Sequence, residues 1–158
     1  MTDLPIIELR RIEANIIKPI YDEMVKSLGK EKAQEILGQA IIRNAIEQGA
    51  TLAEKGEGPN DLNGFAALLP QWTKNDALEI DVISQNDTQF DFNVTRCRYS
   101  EMYQEMGLGE IGHLLSCQRD GTFCEGYDPN LRLERTQTIM QGASHCDFAY
   151  RYVNDDEK

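Results

Sequence analysis

The chain has 158 residues, enough for one domain that buries roughly two-thirds of its unfolded surface and too few for two. With 41% hydrophobic and 27% charged residues, its composition is neither disordered nor fibrous. Lys and Arg number 16 against 27 Asp and Glu, a net charge of −11, which repels polyanions and excludes nucleic acid and anionic membrane surfaces as expected partners.

No stretch reaches the roughly 18 apolar residues of a membrane-spanning helix, and the opening MTDLPIIELRR lacks a basic segment followed by a long apolar one. The expected location is therefore the cytoplasm, where the N-x-T triplets at Asn86 and Asn93 are chance matches.

Leu9, Ile12, Ile16, Ile17 and Ile20 recur at helical spacing and predict a first helix that Pro19 kinks or ends. A second helical segment runs from Tyr21 to Leu28 and stops at Gly29. A third, from Lys30 to about Glu54, carries Ala33, Ile36, Leu37, Ala40, Ile41, Ala45 and Ile46 on its apolar face. The stretch from Lys55 to Gly64, dense in Gly, Asn and Pro, reads as a loop, and Leu62 to Trp72 as a short helix.

Leu78, Ile80 and Val82 alternate with acidic residues, as do Phe90, Phe92 and Val94 with polar ones, which is the period of half-buried strands joined by a turn at Ser84 to Asp87. Ser100 suits the N-cap of a helix through Met106; Gly107 to Gly109 break it, and another helix spans Glu110 to about Gln118. Leu131, Leu133 and the run Arg135 to Thr138 mark a third strand. Cys146 to Val153 form a fourth, with Cys146, Phe148, Tyr150 and Tyr152 on one face. This order predicts an α+β fold: one domain over 1–158, with a helical part, 1–75, packed on a mainly antiparallel sheet of about four strands in a site-bearing part, 76–153. The closing DDEK reads as a solvated tail.

No nucleotide-binding, zinc-protease, C-x-x-C or G-x-S-x-G motif is present, and GLGEIG at Gly107 to Gly112 lacks the lysine and preceding strand of a phosphate loop. Chemistry is concentrated in the C-terminal half, where all four cysteines lie: Cys97, Cys117, Cys124 and Cys146. A thiol is nucleophilic only as thiolate, so a cationic neighbour matters. Cys97 stands between Arg96 and Arg98, although strand alternation can point both away. Cys117 precedes Arg119 and Asp120, but the C-terminal end of its predicted helix disfavours a thiolate. The bland reading of either is a buried inert thiol.

The segment SHCDF offers His145, Cys146 and Asp147, with His145 and Asp147 on the face opposite Cys146. Cys97, Cys117 and Cys146 can instead converge on a metal such as zinc, with His145, Asp120 or Glu110 as fourth ligand, and the spacing leaves this open. Arg135 alternates with Leu131 and Leu133 and so can face inward, where it needs a carboxylate or anionic ligand. The alternative places it in solvent beside Arg132 on an edge strand.

Taken together, N-V-T-R-C at Asn93 to Cys97, E-I-G at Glu110 to Gly112, S-C-Q-R-D at Ser116 to Asp120 and the run R-T-Q-T-I-M to H-C-D-F resemble the L-2-amino-thiazoline-4-carboxylic acid hydrolase family, most strongly over Phe92 to Phe148. The resemblance implies a hydrolase acting on a cyclic amidine-like small-molecule substrate, opening 2-aminothiazoline-4-carboxylate to N-carbamoylcysteine. Under it, Cys97, Cys117 and Cys146 match family positions and Cys124 does not. Cys97 is the preferred nucleophile, Asp120 the first choice for proton transfer and His145 or Asp147 the second. Arg135, or Arg96 or Arg98, pairs with the substrate carboxylate, and Glu110 holds the amidine nitrogens. The ending G-A-S-H-C-D-F also resembles, distantly, vinyl-reductase-type small-molecule-binding domains, which implies the alternative of a noncatalytic metal- or ligand-binding sensory module. The apolar N-terminal helices can serve a homodimer as well as a core.

Overall fold

The computed structural model describes residues 4–56 and 61–153; the predicted 155–158 tail and part of the predicted 55–64 loop lie outside them. Two long helices open the fold, α1 (Ile6–Leu28) and α2 (Lys30–Lys55). Between them Gly29 adopts φ 85° and ψ 162°, a conformation closed to side chains.

Pro19 lies inside α1 without ending it, so the two predicted segments are one helix. Pro19 and Asn15, whose carbonyl loses its donor, are both exposed. That carbonyl is therefore open to solvent, while buried Ile7, Ala14 and Tyr21 hold the helix on either side of the proline. The buried stripe is also not the predicted one: Ile12, Ile16 and Ile20 remain 57%, 62% and 53% exposed. The apolar set of α1 is wider than one face, and the helix packs through its smaller residue, Ala14.

Two short helices, α3 (Leu62–Ala66) and α4 (Leu69–Thr73), replace the single one expected. Asp61 caps α3 by accepting from the Gly64 N–H at 2.8 Å. The strands β1 (Leu78–Gln85), β2 (Gln89–Cys97), β3 (Leu131–Glu134) and β4 (Cys146–Tyr152) form one antiparallel sheet in the order β1-β2-β4-β3. A register irregularity between Val82 and Ser84 accompanies the exposure of Val82, which alternation had placed inside.

Between β2 and β3 the chain forms α5 (Arg98–Glu105), a π-helical turn (His113–Cys117) and α6 (Arg119–Tyr127). The expected helix from Glu110 to Gln118 is thus replaced by a π turn that runs into α6. Ser100 lies within α5, whose cap position is Cys97. The helices α2 and α6 meet backbone to backbone: a Cβ on Gly126 would sit 1.9 Å from the Ile46 carbonyl oxygen, and one on Gly49 2.2 Å from that of Phe123. One apolar cluster joins α1, α2 and α5 through Ala14, Tyr21, Ala33, Ile41, Met102 and Tyr103. A second joins the sheet to α3 and α6 through Phe90, Phe92, Tyr150, Leu62 and Phe123. Among the described residues no helix is long and apolar enough to cross a membrane.

Candidate active site

The π turn shapes the site. Its backbone N–H groups reach back five residues, as Gln118 does to the His113 carbonyl at 3.0 Å, so nearby carbonyls become available to side chains. Gln118 donates to the Leu114 carbonyl at 2.8 Å, Arg119 Nε to that of Leu115 at 2.9 Å, and Arg135 Nη2 to that of Cys117 at 2.9 Å. These contacts fix the guanidinium groups of Arg119 and Arg135, the neighbours of Asp120 in the first turn of α6 and at the end of β3.

Arg135 leaves β3 just past its end and turns inward, the first of the two options its spacing left open. Its Nη1 donates to Asp120 Oδ2 at 2.8 Å, and its guanidinium carbon lies 5.0 Å from the Phe148 ring centre. Around this pair is a chamber of about 70 Å³ whose walls include Cys97, Cys117, Cys146, Ser116, Trp72 and Met140. Burial pushes the Asp120 carboxyl above its ordinary value, opposed chiefly by the charge and hydrogen bond of Arg135.

All three chamber thiols are held protonated. Burial pushes Cys97 up to about 11, against the pull of the Ser100 and Tyr99 backbone N–H groups at the start of α5. Burial and then the Asp120 charge raise Cys117, and burial raises Cys146. Cys117 ends the π turn, as expected of a residue at the close of a helical segment, and Gln118 alone separates it from the N-terminus of α6. Among the described residues no three His, Cys, Asp or Glu side chains are grouped to hold a metal ion; the thiols share a chamber without forming a ligand set.

Five expected site residues are placed outside the chamber. Arg96 is exposed and bridges to Glu101 at 3.3 Å, and Glu110 is exposed and pairs with Lys30 at 2.8 Å. Asp147 anchors the chain after Arg135, accepting from the Thr136 N–H at 2.9 Å and the Gln137 N–H at 3.0 Å. His145 contacts Ser144 Oγ at 2.9 Å on the same outer side of β4. Arg98 is also turned outward, donating to the Asn75 carbonyl at 3.3 Å. Cys124 is fully buried behind the site.

Two site residues escaped the sequence reading. Arg10, on α1, and Arg119, at the start of α6, line the chamber and also a second, adjoining cavity of about 570 Å³. Arg119 is buried, and among the described residues it forms no ion pair; its Nη1 donates to Asn44 and Gln48 of α2, each at 3.0 Å. Burial lowers its pKa to about 10, which marks a guanidinium short of negative charge. Nothing in the local pattern separates Arg119 from a surface arginine, because its burial depends on α2.

These features define an α+β protein with a carboxylate–guanidinium pair and three thiols enclosed beside an apolar cavity. The chain belongs to the L-2-amino-thiazoline-4-carboxylic acid hydrolase family, whose model matches residues 9–150. Comparison with curated proteins finds no match. Among solved structures the chain is similar to the phenol-responsive sensory domain of the transcription activator PoxR with phenol, at 12% identity and TM-score 0.52, over 96% of this chain and 76% of that one. It is also similar to a trafficking protein particle complex subunit 3 from Naegleria fowleri covalently bound to palmitic acid, at 9% identity and TM-score 0.50, over 92% and 99%. At these identities the likeness is one of fold.

Proposed function

We propose that this protein hydrolyses the ring of 2-aminothiazoline-4-carboxylate or a close cyclic amidine, with Asp120 as general base toward water. The observation that carries this reading is the Asp120–Arg135 pair, 2.8 Å apart, enclosed in a thiol-lined chamber. Burial raises the pKa of this carboxylate and the Arg135 guanidinium opposes that rise, an environment suited to a group that takes a proton from water. The protonated thiols are weaker nucleophiles there than a water so activated.

Asp120 takes a proton from water as its oxygen bonds to the carbon between nitrogen and sulfur. The new hydroxyl gives its own proton to the ring nitrogen as the C–S bond breaks, and the sulfur leaves with the proton held by Asp120, so the product carries one carbamoyl group and one free thiol with no redox change. The substrate carboxylate is assigned first to Arg119, which forms no ion pair among the described residues, with Arg10 beside it through the guanidinium nitrogens not used by Glu13, which pairs with Arg10 Nη1 at 2.8 Å. Both Nη atoms of Arg135 are taken by Asp120 and the Cys117 carbonyl.

The test is thiol release from 2-aminothiazoline-4-carboxylate by purified protein of known metal content, repeated with Asp120→Asn and Cys97→Ser. Loss in Asp120→Asn with activity kept in Cys97→Ser supports activated water. Loss in Cys97→Ser with a substrate-mass adduct on the wild-type thiol would replace it with a cysteine nucleophile. A second reading, a noncatalytic sensory module, is favoured by the 570 Å³ cavity and by the fold shared with the phenol-responsive domain; retained ligand without turnover would establish it.

A further inference from the structure

The chamber and the cavity beside it differ in chemistry. The chamber, about 70 Å³, holds the charged pair and the thiols. The outer cavity, about 570 Å³, is walled by Phe65, Leu69, Trp72, Phe123, Phe148 and Tyr150. Their rings already meet one another, Trp72 edge to face on Phe123 at 5.6 Å and 82°, and Phe65 tilted on Tyr150 at 4.7 Å and 54°, which leaves an aromatic surface for a further ring. Arg10, Arg119 and Asp120 belong to the wall shared with the chamber; the other polar lining comes from Asn44, Glu47, Gln48, Thr51 and Lys55 of α2 and from Gln71.

We infer that the outer cavity binds a bulky aromatic group carried by the substrate, so that the substrate class is an aryl-bearing carboxylate of the cyclic amidine type. This rests on the ring-opening reading above. A cavity of this volume falls within the range of about 300–1,000 Å³ typical of sites for drug-sized ligands. The bare thiazoline ring would leave most of the apolar wall against water, whereas an aryl substituent covers it while its carboxylate meets Arg119 and Arg10.

Trp72 is the sole tryptophan of the chain and lines both spaces, so its fluorescence reports binding without turnover. The full chain is titrated with benzoate, 2-naphthoate and 4-biphenylcarboxylate, and with 4-biphenylcarboxamide. Affinity should rise at least about tenfold from benzoate to 4-biphenylcarboxylate and fall about tenfold for the carboxamide, which cannot meet the guanidinium groups as an anion. Leu69→Gln, on the wall of the outer cavity alone, should remove most of the gain with size. A flat or absent size series, a gain that survives Leu69→Gln, or a carboxamide that binds as well as the acid would overturn the inference. Thiol release, measured on the same preparation from 2-aminothiazoline-4-carboxylate and from an aryl-substituted analogue of it, separates the two ideas: turnover with a flat series removes only the aryl site, and a rising series with no turnover of either compound removes the ring-opening reading.

Discussion

Asp120 and Arg135 come together from two elements, the first turn of α6 and the end of β3, and meet at 2.8 Å with side chains 26% and 15% exposed. The pair is costly to split because each partner leaves the other as an enclosed charge. Arg135→Met should destabilise the fold by about 2–4 kcal/mol, read from the urea midpoint. Asp120→Asn keeps an amide oxygen that can accept from Arg135, so it should cost less stability than Arg135→Met while lowering kcat for ring opening by about 100-fold or more, the contribution of a positioned base. Equal stability loss in both variants would make the pair a purely structural one.

The raised Asp120 pKa sets a direction for pH. As a base Asp120 works only when ionised, so kcat/KM should rise with pH through a limb centred above 3.8, the ordinary carboxyl value. Stability should move the other way over that window. Above 3.8 the unfolded chain has lost the proton that the folded chain keeps, so this group's contribution falls as pH rises. The wild-type minus Asp120→Asn difference in stability, followed across acid pH, checks the sign; a difference that grows with pH would refute the placement of Asp120 in an enclosed chamber.

The thiols make a matching statement at alkaline pH. Cys97 is raised from 9.0 to about 11 and Cys124 from 9.0 to about 12, each first by burial. Between about 9 and 11 the unfolded chain ionises these thiols while the folded chain holds their protons, so stability should fall steadily across that range. At pH 7 iodoacetamide should label the native thiols far more slowly than the urea-unfolded chain. Rapid native labelling of Cys97, located by peptide mapping, would return it to the role of nucleophile.

Much of this architecture was legible in the residues themselves. The alternation of Phe90, Phe92 and Val94, and of Cys146, Phe148 and Tyr150, belongs to strands that bury one face, and both strands form as expected. The inward turn of Arg135 was half-legible, because period-two spacing showed that it could face the core and only Asp120 could settle that it does. What stayed hidden depends on distant partners. Pro19 reads as a helix stop until the packing of Ala14 and Tyr21 is known. The stretch Glu110 to Gln118 has the pattern of an ordinary helix. Only the side chains of Gln118, Arg119 and Arg135, satisfying carbonyls of Leu114, Leu115 and Cys117, make a π turn affordable there. Arg119 itself is drawn in by Asn44 and Gln48, far away in the chain.

That dependence on α2 gives a last prediction. The helices α2 and α6 approach so closely that a Cβ on Gly126 would stand 1.9 Å from the Ile46 carbonyl oxygen, inside contact distance of backbone that has no side-chain freedom to yield. Gly121 lies in the same helix, but a Cβ there would find nothing nearer than Leu133 at 3.9 Å. The two glycines therefore predict opposite signs for one chemical change. Gly121→Ala should be neutral or stabilise by up to about 1 kcal/mol, through the lower entropy of the unfolded chain. Gly126→Ala should destabilise by about 1–3 kcal/mol or more, because α6 must move off α2 to admit the methyl. The displacement would also draw Arg119 from Asn44 and Gln48, so a Gly126→Ala protein that still folds should bind aryl carboxylates more weakly by Trp72 fluorescence. Equal urea midpoints for the two variants would show that the helices do not cross at Gly126.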